Sequence, residues 1–102
     1  MEILSKEELV YLATKPEYKN PGKLTAVVKA LALRVNSKTL GLRPLDAQVL
    51  HQLNIETLAQ LLRTDDSFLV ENLEEDLMSR VGEKLVEHDL FWGLLNSNQV
   101  KA

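Results

Sequence analysis

Residues 40–62 read LGLRPLDAQVLHQLNIETLAQLL, and no other stretch restricts the fold as tightly. Leu42, Leu45, Val49, Leu50 and Leu53 recur at spacings of three and four, the period that lines one face of an α-helix. Pro44, whose fixed φ suits the first helical turn, marks the start. Thr57 then offers a hydroxyl to the free N–H groups of a second helix, whose apolar residues are Leu58, Leu61 and Leu62. Only Asn54, Ile55 and Glu56 lie between them. A connection that short predicts a helical hairpin with Ile55 plugging its corner.

Around this hairpin the sequence predicts an all-α fold: a compact bundle of about five or six short helices with a helix-hairpin-helix-like core. The 102 residues are 45% apolar, enough for one domain with a single modest core. Its expected parts are an N-terminal helical pair over 1–39, the hairpin core over 40–95 and a frayed polar tail over 96–102. There is no cysteine, which excludes disulfides and thiolate metal sites. No apolar run approaches the roughly 20 residues needed to cross a bilayer. The start, MEILSKEE, lacks the basic and long apolar segments of a secretory signal, so a cytoplasmic location is the expectation.

A first helix is expected over 6–14. Ser5 and Glu8 form a capping-box pair, Leu9, Leu12 and Ala13 form a narrow apolar strip, and Pro16 marks the end. Two prolines, an asparagine and a glycine predict a loop over 15–22, with Tyr18 pinning it to the core or, with Tyr11, offering a ring to a partner. A second helix over 23–36 carries Leu24, Val27, Val28, Leu31, Ala32 and Val35, widened by Ala26, Ala30 and Leu33. So broad an apolar face predicts a central helix or a homodimer interface.

Beyond the hairpin, the oxygen side chains of Thr64, Asp65, Asp66 and Ser67 announce a helix start, followed by Phe68, Leu69 and Val70. An acidic stretch over 71–80 keeps Leu73, Leu77 and Met78 on one side. The last helix is expected over 83–95, with Val81, Leu85, Val86, Leu90, Phe91 and Leu94 along its apolar side and Gly93 at a kink or close approach. Trp92 is either the final lock on the core or an exposed anchor for a partner.

Leu42 to Leu50, then Ile55, Thr57, Leu58, Leu61, Leu62 and Thr64, followed by RVGEKL at 80–85, resemble the C-terminal domain of the bacterial RNA polymerase α subunit. That domain is a compact helical relative of the helix-hairpin-helix DNA binders, so the resemblance implies such a fold over about 40–95 and a role in transcription or DNA metabolism. It also implies that an arginine and an asparagine of the family's first motif helix, which reach DNA, are replaced here by Leu45 and Gln48. The family's late glycine opens a phosphate-holding helix; aligned on Gly82, that opening carries Glu83 before Lys84, and a carboxylate there repels phosphate. The DNA contacts are not kept.

Charge divides along the chain. The net charge is −3, but residues 1–45 carry +4 and residues 46–102 carry −7. Lys23, Lys29, Arg34, Lys38 and Arg43 form the basic half's possible contact set for a partner or nucleic acid, joined by Lys84 and Trp92. A solvated outer face is the competing reading.

No residue pattern points to catalysis. His51 and His88 lack the spacing of a metal-ligand pair, and consecutive Glu87, His88 and Asp89 point in different directions on a helix. Glu74, Glu75 and Asp76 likewise fan out, where a hard cation wants converging oxygens. The serines have no nucleophile-elbow context and the glycines make no phosphate-cradling loop. The expectation is a non-enzymatic protein-interaction module with no cofactor or metal. Its expected partner is another protein, which the resemblance places in the transcription machinery. The alternatives are direct nucleic-acid binding through the basic half and a structural homodimer.

Overall fold

The computed structural model describes residues 4–96. Among them are six α-helices: α1 Lys6–Thr14, α2 Pro21–Leu31, α3 Pro44–Gln52, α4 Leu58–Arg63, α5 Asp66–Asn72 and α6 Glu75–Glu87, with a 3₁₀ turn Pro16–Tyr18 after α1. No described helix is long and apolar enough to cross a membrane. The frayed tail expected over 96–102 lies, beyond Asn96, outside the described residues.

Local chemistry sets most helix starts. Ser5 accepts from the Glu8 N–H at 3.2 Å while the Glu8 carboxylate accepts from the Ser5 N–H at 2.8 Å, closing the expected capping box of α1. Thr57 and Gln60 close a second box on α4. In α2 the cap is Asn20, whose side chain accepts from the Gly22 and Lys23 N–H groups, with Pro21 in the first turn. The helix therefore begins at Pro21, two residues before the position expected from its apolar run. Asp65 occupies the N-cap position of α5, but makes no cap bond there; its Oδ2 accepts from Ser67 Oγ at 3.1 Å instead.

Two helices stop in the same way. In α3 the Ile55 N–H donates to the Leu50 carbonyl and the Asn54 N–H to the His51 carbonyl; in α6 the Leu90 N–H donates to Leu85 and the Asp89 N–H to Val86. Asn54 and Asp89 take left-handed φ values of 64° and 61°. Each is a Schellman stop, and each buries the apolar pair that accompanies it, Leu50 with Ile55 and Leu85 with Leu90.

The core joins both ends of the chain. Leu12, Tyr18, Leu31, Leu50, Leu58, Leu61, Leu62, Leu69, Leu85 and Leu94 are all fully buried in one cluster. Tyr18 pins its loop as expected: its hydroxyl donates to the Asp89 carbonyl at 2.7 Å. Burial, helped by Glu17 and Asp89, pushes its pKa to about 12. Ile55 is buried in the connection between α3 and α4, and the packing partner of α4 is α2.

Further expectations are corrected. The second helix does not reach residue 36; it ends at Leu31, and the chain turns to lie against the entry to α4. There the Val35 N–H donates to the Glu56 carbonyl at 2.9 Å and the Leu58 N–H to Leu33 at 3.0 Å, bridging Arg34 and Thr57. Continuing the helix would forfeit both bonds. Leu45 is not on the buried face of α3 but 69% exposed, while Asp46 and Ala47 turn inward.

The last helix is α6, over Glu75–Glu87 and not 83–95. Glu74 is extended ahead of it and the Schellman stop at Asp89 ends it. Gly93, at φ 76°, belongs to the following turn, a conformation that favours glycine. Gly82 lies inside α6 and opens no helix.

Candidate interaction surface

Most of the cations singled out in the sequence face carboxylates. Lys23 lies 3.8 Å from Asp89, Arg34 3.7 Å from Glu56 and Lys84 3.7 Å from Glu87. Arg43 shares Asp46 with Arg80. Lys29 stands exposed on α2. These residues do not form one stripe, because α2 ends before Arg34 and Lys38 and the chain changes direction there. Most of them are therefore engaged in ion pairs within the chain.

Two of them do meet. Arg34 and Lys38 line a cleft of about 520 Å³ between the α2–α3 connection and α3, with Leu42, Gln48, His51 and Glu56. Glu56 sits on the same wall as Arg34 and offsets its charge.

A second surface surrounds Trp92. Its indole lies against Gly82: a Cβ placed on that glycine would stand 3.2 Å from Trp92 Nε1, so the small residue is what lets the ring approach α6. Trp92 is half-buried, and an open cleft lies on each side. One, of about 430 Å³, is lined by Val70, Leu73, Glu75, Met78, Ser79 and Gly82. The other, of about 480 Å³, is lined by Glu83, Leu85, Val86, Leu90 and Phe91. Val70 and Val86 are 66% and 71% exposed, and Phe91 39%. Trp92 is thus both lock and ridge, one edge on α6 and another bordering open apolar grooves.

The sequence placed Val86 and Phe91 on the inward side of a helix over 83–95. With the helix ended at Glu87, Phe91 belongs to a turn and Val86 to the outer face of α6. Only the Leu-x-x-x-Asp-Leu spacing at 85–90, which repeats the Leu-x-x-x-Asn-Ile spacing at 50–55, carried a signal of that stop. Lys15 Nζ sits 5.0 Å from the Tyr11 ring centroid and 5.2 Å from that of Phe91, tying the far edge of the ridge to the end of α1.

The first turn of α6 is strongly acidic. Glu74, Glu75 and Asp76 crowd the positive end of its dipole, all exposed. A phosphate arriving there would meet three carboxylates. No group of three or more potential metal-ligating side chains converges among the described residues. His51 is exposed at the first cleft and His88 stands at the C-cap of α6.

The described residues therefore define an all-helical domain whose candidate sites are open surface features. In comparisons with protein-family models, curated proteins and solved structures, nothing matches this chain.

Proposed function

We propose that this chain is a non-enzymatic protein-binding module, and that it engages its partner through the Trp92 ridge. The observation that carries this reading is the pair of open grooves that meet at Gly82 and Trp92, one lined by Val70 and Met78, the other by Val86 and Phe91. Contiguous apolar surface is costly in water and characteristic of protein interfaces, where a half-buried tryptophan is a common anchor. On this reading α3 and α4 form a helix-hairpin-helix-like core used as scaffold. The setting in transcription or DNA metabolism rests on the resemblance to the polymerase α C-terminal domain.

Val86→Asp tests it, since the side chain is already in water and the fold should survive. Proteins captured by the wild type should be lost by this variant, with circular dichroism unchanged. Duplex DNA should bind weakly at both about 50 mM and about 200 mM salt; tight binding that collapses between them would favour nucleic acid as the ligand. A sedimenting dimer split by Val28→Asp would favour self-association.

A further inference from the structure

We infer that the partner segment seated on the Trp92 ridge is a basic amphipathic helix, about three turns long, with an apolar face flanked by lysine or arginine. This rests on the protein-binding reading above and specifies its partner. The geometry comes from α6. Glu75, Met78, Ser79, Gly82, Glu83 and Val86 follow one another at alternating spacings of three and one along one face of that helix, and all line the grooves beside Trp92. Twelve residues at the helical rise make a track roughly 17 Å long. A helix laid along it would place apolar side chains on either side of Trp92, the helix-in-groove mode of recognition.

Charge decides the chemistry of the rim. Residues 65–96 carry nine carboxylates against two cations, Arg80 and Lys84. Both cations are engaged, Arg80 with Asp46 and Lys84 with Glu87. Glu75 and Glu83 are exposed at the grooves themselves, one in each. Lys15, over Phe91, is 3.7 Å from Glu17, and Lys23 meets Asp89, so neighbouring elements add no uncompensated positive charge at these points. Nucleic acid and anionic lipid, each with an apolar portion, are repelled by such a rim; a cationic peptide helix is attracted.

The chain has one tryptophan, so Trp92 fluorescence reports the site directly. The probe is a twelve-residue helical peptide with a leucine face and lysine edges, compared with its glutamate-edged counterpart, phosphatidylserine vesicles and duplex DNA. The lysine peptide should shift Trp92 emission, bind more weakly in high salt, and lose about tenfold in affinity to the Glu75→Lys, Glu83→Lys double variant. That variant should in turn prefer the glutamate peptide.

Equal binding of both peptides, or no effect of the charge reversal, would overturn the basic-helix inference while leaving the ridge as a protein-binding surface. Vesicle or DNA binding tighter than the peptide would overturn it in favour of those ligands. A Val86→Asp variant that retains every captured protein would instead remove the ridge reading beneath it.

Discussion

Asp46 and Arg80, 34 residues apart, join α3 to α6 through a two-pronged contact, with Arg80 Nε 2.9 Å from Asp46 Oδ2 and Nη2 3.0 Å from Oδ1. Arg43 grips the same two oxygens at 3.2 Å, so a carboxylate with 3% side-chain exposure is held by two guanidinium groups that remain partly in water. The arrangement explains why Asp46 turns inward where periodicity would put Leu45. A buried carboxylate with its acceptor sites filled is tolerated, and one without partners is not.

The Arg80 and Arg43 hydrogen bonds, outweighing burial, lower the Asp46 pKa from 3.8 to about 2. A group whose pKa is depressed by folding contributes stability above its unfolded pKa and loses it as pH falls through the folded value. The Asp46 contribution should therefore be complete above about pH 4 and disappear towards about pH 2. Asp46→Asn should cost about 1–2 kcal/mol at pH 7 and flatten the acid limb of stability against pH. A variant with an unchanged limb would show that the pair contributes nothing measurable.

Glu8 serves two purposes. Its carboxylate closes the capping box of α1 and receives Arg63 of α4, with Nε 2.6 Å from one oxygen and Nη2 2.7 Å from the other. Burial raises its pKa most, but Arg63 and Ser5 together outweigh that and leave it lowered. Glu8→Gln keeps the cap acceptor and loses the charge, whereas Glu8→Ala loses both. Urea unfolding at pH 7 should rank them, with costs of about 1 kcal/mol for glutamine and about 2 kcal/mol or more for alanine.

Leu50 is fully buried and provides the carbonyl that Ile55 caps. Leu50→Ala should destabilise by about 2–5 kcal/mol, because the transfer and cavity terms add. A Tm within error of the wild type would exclude Leu50 from the core.

At Asn54 the left-handed backbone ends α3. Asn54→Gly removes the Cβ conflict and should keep or slightly raise stability, while Asn54→Val should lower it by about 1–2 kcal/mol. Chemical denaturation separates the two. Equal stability of both variants would mean that the Schellman stop is relaxed in solution.

Much of this fold was legible because its signals are local. The Ser5–Glu8 pair, Pro44 and the Thr57 hydroxyl each act within one helical turn, and each starts a helix where expected. The Asn20–Pro21 start of α2 was equally local, but the apolar run after it drew the boundary inward. The end of α2 was of another kind. Val35 continues the helical repeat and Leu33 widens it, yet their backbone groups bond to residues more than twenty positions away, which periodicity does not register.

The candidate site was the least legible part. Lys38 and Arg34 do share a cleft, but Lys23 and Arg34 meet acids brought in by other elements, while Arg43 and Lys84 pair with acids three residues further on. Trp92 was already a possible partner anchor, but Val86 and Phe91 were placed on the inward side of a helix, because an exposed valine and a buried one look alike in sequence.

By itself the sequence determined an all-helical chain, most helix starts and a charge split that leaves the second half acidic. The tertiary structure alone decided where α2 stops, that Asp46 rather than Leu45 is enclosed, and that Val86, Phe91 and one edge of Trp92 stay in water. Helix formation is governed by neighbours three and four residues apart. Which side of a helix is buried depends on what the rest of the chain places against it, and those partners are far away in sequence.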